Sequence, residues 1–370
     1  MKKLRAFLQR KDIVFSGKRY GIDALGAMAQ GLFCTLLVGT ILNTIGQQFA
    51  IGFLNEVIVT VGKGDGAVSY TIGGLASAMV GPGIAIAIGT ALHAPGLVLF
   101  SLIPVGFAAN AMGGAGGPLA VYFVAILACE CGKLVSKETK IDILVTPIIT
   151  ILAGIGFAAL VAAPIGTAAK AVGQAIMWAT DLQPFFMGII VSVLVGIALT
   201  LPISSAAICA SFGLVGLAGG AAVAGCCAQM VGFAVMSFRE NRWGGLVAQG
   251  VGTSMLQMPN IVKNPRIWIP PTLASAITGP LATCLFQLEM NDPGGGLASG
   301  MGTCGFVGQI GVYSGWANDI ATGAKAAITA TDWIALALIC FVLPAILSWF
   351  FCLILRRWGW IKENDLKLNL

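Results

Sequence analysis

The chain has 370 residues, of which 57% are hydrophobic and 10% are charged, and its net charge is +6. Soluble domains carry about 25% charged residues, so this composition excludes a water-soluble globular fold and predicts an integral membrane protein. Seven of the 21 basic residues precede residue 20. This pattern predicts a cytoplasmic N-terminus rather than nucleic-acid binding.

A membrane-spanning helix needs about 20 mostly apolar residues. By this rule the sequence predicts an all-α polytopic membrane protein with about ten spans. We expect 1–20 to be a cytoplasmic basic segment, 21–356 a single membrane-embedded unit and 357–370 a cytoplasmic tail. The predicted spans are 22–42, 68–90, 94–110, 116–132, 143–163, 184–202, 205–235, 244–262, 268–288 and 333–355.

Basic residues mark the loops that we expect on the cytoplasmic side. They recur at 133–140, 239–242, 263–266 and 356–367, so both termini are predicted to be cytoplasmic, whereas 164–182 is predicted to be external. The loops 239–242 and 263–266 flank the same predicted span, 244–262. We call it the weak span because it is polar for a spanning helix. That conflict predicts either a segment that enters and leaves by one face or a short helix lying along the surface.

An acidic cluster and a glycine-rich stretch follow the span that ends at residue 288. An ionised carboxylate at membrane depth costs at least ~2.5 kcal/mol, so Glu289 is expected to face a cavity or a partner. The break at Asp292-Pro293-Gly294 predicts a re-entrant segment over 289–316, whose free backbone groups line a polar pocket. The alternative is an ordinary loop at the membrane surface.

Sugar binding needs planar donors and acceptors for hydroxyl pairs and an aromatic face for the C–H surface. Four residues of this stretch are therefore candidate substrate-binding residues: Glu289, Asn291, Gln309 and Trp316.

The segment 105–123 weakly resembles the glycine-rich segment 294–313, because both are rich in alanine, glycine and methionine. Paired interrupted segments point to the binding site in many transporters, although shared composition alone would also explain the match. A second re-entrant segment is therefore predicted near 93–117, and it adds His93 and Asn110 as candidates. His93 can serve as a hydrogen-bond partner or proton carrier, or it can be a helix-end residue at the interface.

Other polar residues are assigned structural roles. Glu130 and Lys133 have the spacing of a helix-surface ion pair, and Gln229, Gln257 and Asn260 are expected to hydrogen-bond between helices. The ten cysteines are expected to pack as small hydrophobes. The sequence contains no nucleophile–base pair, phosphate-binding loop or metal-ligand set, so we expect neither an enzyme nor a cofactor.

The region 204–283, which begins "SSAAICASFGLVGLAGGAAVAGCC", and the segment "SKETKIDILVTP" at 136–147 carry a resemblance. They resemble the membrane (IIC) component family of the bacterial sugar phosphotransferase system, in the branch called perfringolysin-regulator-like. The resemblance implies a homodimer in the bacterial inner membrane, with the glucose-superfamily elevator architecture and two re-entrant hairpins. Glu289 and His93 are the implied sugar contacts, although the usual Gly-Ile-x-Glu-Pro form is absent.

The resemblance also implies that phosphate comes from separate IIA and IIB proteins. Together these observations predict a carrier for a small polar solute such as a sugar, with a lipid bilayer around it and no nucleic-acid partner. Two alternatives stay open. One is a non-transporting membrane sensor that binds a solute and signals to a cytoplasmic partner, and the other is a channel-like facilitator.

Overall fold

The computed structural model describes residues 2–63, 66–291 and 296–368, with side chains from Ala6 onward. Within these residues the chain is almost entirely helical, and the one sheet is a two-stranded antiparallel hairpin. The chain divides into two compact units, which we call unit 1 (residues 1–168) and unit 2 (residues 169–370).

Unit 1 packs its helices through glycines. A Cβ on Gly31 would lie 2.6 Å from the carbonyl oxygen of Gly83, and a Cβ on Gly81 would lie 2.8 Å from Asn110 Cβ. Such close backbone approach is how small residues bring membrane helices together. The elements are α1 (Lys2–Arg10), α2 (Arg19–Gln48), a helical turn (Gly52–Asn55), β1 (Val59–Val61), β2 (Val68–Tyr70), α3 (Ile72–Ala78), α4 (Val80–Ala91), α5 (Gly96–Gly113), α6 (Gly117–Val135) and the first part of α7 (Asp142–Thr180).

Helices α5 and α6 form an antiparallel hairpin. A Cβ on Gly132 would lie 2.8 Å from Val98 Cγ1, and one on Gly113 would lie 3.0 Å from Ala120 Cβ, so the two arms touch at both ends. The chain reverses at Gly114, whose φ of 51° favours glycine. The arms of 18 and 19 residues are each about 27 Å long, close to the thickness of a bilayer core.

Helix α7 is longer than the sequence predicted. It runs for 39 residues with Pro147 and Pro164 inside it, which corresponds to about 58 Å. The predicted span 143–163 therefore continues as a helix to Thr180, and the placement of 164–182 on the external side stays a prediction. The physical reason is composition, because the residues after Pro164 are rich in alanine, the strongest helix former.

Unit 2 is built around one central helix, in which nearly every residue is buried. A Cβ on Gly196 would lie 2.7 Å from the carbonyl oxygen of Gly225, and Ser192 Oγ donates to Ser275 O at 2.8 Å. The helices are α8 (Pro184–Thr200), α9 (Ser205–Ser211), α10 (Gly216–Met236, the central helix), α11 (Phe238–Val247), α12 (Met258–Lys263), α13 (Ile269–Pro280, extended by a π-helical turn to Leu285), α14 (Val307–Ala321) and α15 (Ala330–Arg357).

The predicted spans correspond to helices with two corrections beyond α7. The predicted span 205–235 is not one helix, because the chain breaks between α9 and α10, where Gly213 and Gly216 have φ of 59° and 63°. The predicted span 244–262 is a series of short turns rather than a spanning helix. Among the described residues, five helical stretches are long and apolar enough to cross a membrane when the hairpin α5–α6 is counted as one stretch. The pair α3–α4, bent by 53°, is a sixth candidate.

The loops that the sequence assigns to the cytoplasm meet one another within each unit. In unit 1, Arg10 and Lys11 pair with Glu138 at 2.6 and 2.5 Å. In unit 2, Arg356 pairs with Glu240 at 2.6 Å. This grouping agrees with the charge-based topology.

Asparagine side chains fix the C-terminal tail that follows α15. Asn241 Nδ2 donates to Leu366 O at 2.7 Å, and Asn241 Oδ1 accepts from Leu368 N at 2.8 Å. Asn264 Nδ2 donates to Trp360 O at 2.9 Å. Because both ends of the weak span contact the same tail, the structure favours a segment that enters and leaves by one face.

The interior of this segment is held by buried amides. Gln257 and Asn260 thus have a structural role, but they hydrogen-bond within the segment and to the tail rather than between helices. Gln257 Nε2 donates to Gln249 Oε1 at 2.8 Å, and Asn260 Nδ2 donates to Gln257 Oε1 at 2.8 Å. Ser254, near the turn, lies 2.8 Å from Thr200 Oγ1. Buried amides that satisfy one another keep this non-helical segment in place.

We predict that Asn241→Ala loosens the tail, because it removes two hydrogen bonds worth about 1 kcal/mol each. Trypsin should then cleave after Lys362 several-fold faster, as followed by mass spectrometry of the released peptide. The matched control is Asn318→Ala, since Asn318 is an exposed asparagine of α14 outside the tail. Equal cleavage rates in wild type and Asn241→Ala would show that the amide does not hold the tail.

Candidate functional site

Two non-helical segments meet inside unit 2, one between α8 and α10 and the other between α13 and α14. Met290 and Gly216 form an antiparallel bridge with N–O distances of 2.9 and 3.0 Å. Ser205 Oγ donates to Gly300 O at 2.7 Å. Backbone outside a helix needs partners in protein or water when it lies at membrane depth. Here each of the two segments supplies hydrogen-bond partners for backbone groups of the other.

The second segment is buried against the central helix. Nearly all residues of 296–306 are buried, and the helix α14 begins only at Val307. Gly302 has φ of 54°, and a Cβ there would lie 2.6 Å from Cys226 Cβ, so the position favours glycine for both conformation and space. The described part agrees with the predicted interruption of the helix. The predicted break Asp292-Pro293-Gly294 lies outside the described residues.

Three polar side chains come together where this segment begins, and we call them the carboxylate–amide group: Glu289, Asn291 and Asp319. Asn291 Nδ2 lies 3.0 and 3.2 Å from the two oxygens of Asp319 and 3.3 Å from Glu289 Oε2. Glu289 is exposed, whereas Asn291 and Asp319 are partly buried. The amide thus bridges two carboxylates that keep acceptor positions open toward the surface.

Helix α14 carries the other two candidates of this stretch, Gln309 and Trp316, about two turns apart. Gln309 is buried and its Nε2 lies 3.2 Å from Cys227 Sγ, while its Oε1 is buried without a hydrogen-bond partner among the described residues. Trp316 is also buried, and Gly315 beside it touches the Asn291 backbone. The structure therefore brings Glu289, Asn291 and Trp316 into one region, with Gln309 about two turns before Trp316 along α14.

Aromatic rings adjoin the carboxylate–amide group. Trp316 contacts Trp333 edge-on at 5.6 Å between centroids, and Tyr313 stacks on Trp333 at 5.8 Å. The ammonium of Lys325 lies 5.3 Å from the Trp316 ring centroid. Because Trp316 is covered, the rings with exposed faces here are Tyr313 and Trp333.

His93 lies in unit 1, at the end of α4. Its side chain is 75% exposed, and Nδ1 lies 3.0 Å from Asp12 Oδ2. Arg19 donates to both oxygens of Asp12 at 3.0 and 2.6 Å. The Arg19 guanidinium, with help from His93, lowers the pKa of Asp12 to about 2. This position matches the helix-end alternative, and the role of His93 in substrate binding stays a prediction.

Asn110 lies in α5 of unit 1 and serves close helix packing. A Cβ on Gly81 of α4 would lie 2.8 Å from Asn110 Cβ, and a Cβ on Gly117 of α6 would lie 2.7 Å from the Asn110 carbonyl oxygen. The segment 105–123 is thus a helical hairpin, unlike the irregular segment after Gly296. The role of Asn110 in substrate binding stays a prediction.

Asp319 is the site residue that the sequence reasoning missed. It lies one helical turn after Trp316 on α14, so both side chains are on one face. A carboxylate in an otherwise uncharged helix, one turn from the tryptophan already chosen, was the available signal. It could be read only once α14 was known to continue to Ala321.

The long apolar helices define a mainly helical integral membrane protein. The family model "Phosphotransferase system, EIIC" matches residues 22–368. The chain therefore belongs to this family, whose members are membrane transport components of the phosphotransferase system rather than its catalytic proteins. Searches of curated proteins and of solved structures find no match.

We predict that Gly315→Ala displaces the Asn291 segment, because a Cβ there would lie 2.7 Å from Asn291 N. Overpacking of this kind costs about 1–3 kcal/mol, so the melting temperature in detergent should fall by several degrees. Gly156→Ala is the matched control, since a Cβ on Gly156 of α7 meets nothing within 4 Å. Equal melting temperatures for the two variants would contradict the close contact.

We predict a pH-dependent loss of stability from Asp12. Its folded-state pKa lies below the ordinary 3.8, so the stabilisation is fully present above about pH 4 and is lost as the pH falls toward 2. Between pH 5 and 2.5 the melting temperature of wild type should therefore approach that of Asp12→Asn. A difference between the two proteins that stays constant with pH would contradict this assignment.

Proposed function

We propose that the chain is a carrier for a small polar solute, most simply a sugar, and that the carboxylate–amide group of unit 2 contacts the solute. The observation that carries the proposal is the convergence of Glu289, Asn291 and Asp319 beside a buried, non-helical segment in a member of the EIIC family. Interrupted segments of this kind hold substrate sites in secondary transporters.

The chemistry of the group suits a polyhydroxylated ligand. Carboxylates accept hydrogen bonds only, through two oxygens each, so Glu289 and Asp319 can each receive hydroxyl donors. Asn291 couples the two carboxylates, and the buried Oε1 of Gln309 is an unsatisfied acceptor further along the same helix. The exposed ring faces of Tyr313 and Trp333 offer apolar surface for the C–H side of a sugar.

The remaining parts of the proposal concern architecture and coupling. We propose a single membrane-embedded transporter over 21–356, with unit 2 as the substrate-binding part, unit 1 as the scaffold and re-entrant segments near 93–117 and 289–316. The protein would act as a homodimer in the bacterial inner membrane, with about ten spans, cytoplasmic termini and elevator-type alternating access. Phosphate would come from separate IIB and IIA proteins, or Glu289 would carry a coupled proton.

We predict that Glu289→Gln weakens sugar binding about tenfold, because a carboxylate that accepts hydroxyl hydrogen bonds contributes about 1.5–3 kcal/mol. A thermal-shift screen across sugars and polyols first identifies the solute, and calorimetric titration then measures its dissociation constant. Glu363→Gln, which removes an exposed carboxylate of the tail, is the control.

Both variants should keep the oligomeric state of wild type, measured by light scattering. Unchanged affinity in Glu289→Gln would remove this residue from the site. Uptake of the labelled solute into vesicles, with and without a proton gradient or added IIB and IIA proteins, tests transport itself. Binding without uptake under every condition would contradict the carrier.

A further inference from the structure

Unit 1 contains a basic cleft at one end of its helices, which His93 helps to line but which the carboxylate–amide group of unit 2 does not use. The cleft encloses about 370 Å³ between the end of α1, the end of α4 and the end of α6. Four cationic side chains line it against two carboxylates, so its net charge is +2 when His93 is neutral. The charged side chains are Arg10, Lys11, Lys133, Lys137, Asp12 and Glu138.

The hydrogen bonds show which of these charges are already used. Glu138 pairs with Arg10 and Lys11. Lys133 is fully buried and donates to the backbone carbonyls of Asp12 and Leu92, at 2.9 and 3.1 Å. Its ammonium therefore ties α6 to the chain around it.

Lys137 is the free cation at the rim of this cleft. Its side chain is exposed and its ammonium forms no ion pair among the residues that the structure describes, although the nearby Asp142 carboxylate accepts from the Lys137 backbone N at 2.7 Å. One carboxylate, Glu138, is shared between two cations. The excess positive charge is thus available to an anion.

An apolar groove of about 420 Å³ lies on the same elements. Leu8 in α1, Ile13 and Phe15 after it, and Ile126 and Leu134 in α6 line the groove. Residues of the groove and of the cleft are close to one another along the chain. Leu8 is two residues from Arg10, and Leu134 follows Lys133. Phe15 is 77% exposed, which is costly in water but suits contact with acyl chains.

Glu130 is the one carboxylate among the described residues that line the groove, and its negative charge does not prevent contact with a lipid. Glu130 lies 2.9 Å from the ammonium of Lys133, and its other oxygen accepts from Tyr20 at 3.0 Å. The predicted ion pair is thus present, although it is buried rather than on the helix surface, and its negative charge is balanced by Lys133. The groove therefore presents apolar side chains beside a cationic cleft, which is the arrangement of an interfacial lipid site.

We propose that the basic cleft and the apolar groove bind one anionic phospholipid. The phosphate would lie in the cleft near Lys137, and an acyl chain would lie in the groove against Phe15 and Leu134. An amphipathic basic helix such as α1 commonly lies in the membrane interface. Anionic lipid would thus hold the N-terminal segment against the ends of α4 and α6.

Native mass spectrometry of the detergent-solubilised full chain tests the proposal directly. Phosphatidylglycerol is titrated against phosphatidylcholine with the same acyl chains. Wild type should bind phosphatidylglycerol at least fivefold more tightly than phosphatidylcholine. Lys137→Gln should lose most of this preference, whereas Lys170→Gln, an exposed lysine of α7, should keep it.

Two further variants separate the parts of the site. Phe15→Ser should weaken the binding of both lipids, because it removes apolar surface from the groove. Glu138→Gln should strengthen the binding of phosphatidylglycerol alone, because it frees Arg10 and Lys11 from their carboxylate partner. Melting temperatures within two degrees of wild type would establish that Lys137→Gln and Phe15→Ser are folded.

Three outcomes would overturn the proposal. Equal binding of the two lipids by wild type would indicate general lipid contact. Unchanged preference in Lys137→Gln would place the headgroup elsewhere. Full displacement of phosphatidylglycerol by millimolar inorganic phosphate, with no effect of Phe15→Ser, would indicate a site for free phosphate rather than for a lipid.

Discussion

The structure depends on one constraint, the need of non-helical backbone to find hydrogen-bond partners inside an apolar protein. In unit 2 the central helix is surrounded by helices, yet two segments beside it are broken. The breaks satisfy each other through the bridge between Gly216 and Met290 and through the hydroxyl of Ser205. Gly302 lets the second segment lie directly on the central helix. Without this mutual pairing, neither interruption could be buried.

The same constraint explains why polar groups collect where they do. A broken segment ends helices in the interior, and its side chains at the break can reach a polar surface that a continuous helix would leave apolar. Asn291 and the two carboxylates occupy that place in unit 2. The predicted span 244–262, which lies before α13, is stabilised in a similar way. Its side-chain amides hydrogen-bond to one another, and Asn241 hydrogen-bonds to the C-terminal tail. In these two places of unit 2, clusters of polar side chains therefore lie where helices stop.

Much of the fold could be predicted from the sequence because hydrophobic length and loop charge are strong signals. They indicated the helical class, the interruption after α13 and the grouping of basic loops. They failed at α7 because a proline inside an alanine-rich run does not end a helix. They failed at 205–235, where the apolar composition is continuous and only the backbone conformations of Gly213 and Gly216 reveal the break.

The candidate site was partly predictable for a similar reason. Glu289 and Asn291 precede the predicted break at 292–294 and Trp316 follows it, so proximity to one break selected all three. Asp319 joins them through the geometry of α14, and Gln309 is directed toward Cys227 by the same helix. Those contacts depend on which face of a helix packs on the core, and that choice comes from tertiary packing.

The central claim is that the carboxylate–amide group contacts the transported solute. The most direct test is a cryo-electron microscopy map of the full chain in lipid nanodiscs, saturated with the sugar that the thermal-shift screen identifies. The account predicts sugar density within hydrogen-bonding distance of Asn291 and at least one of its two carboxylate neighbours. Sugar density elsewhere, with Asn291 still held between Glu289 and Asp319 and no ligand beside it, would contradict it.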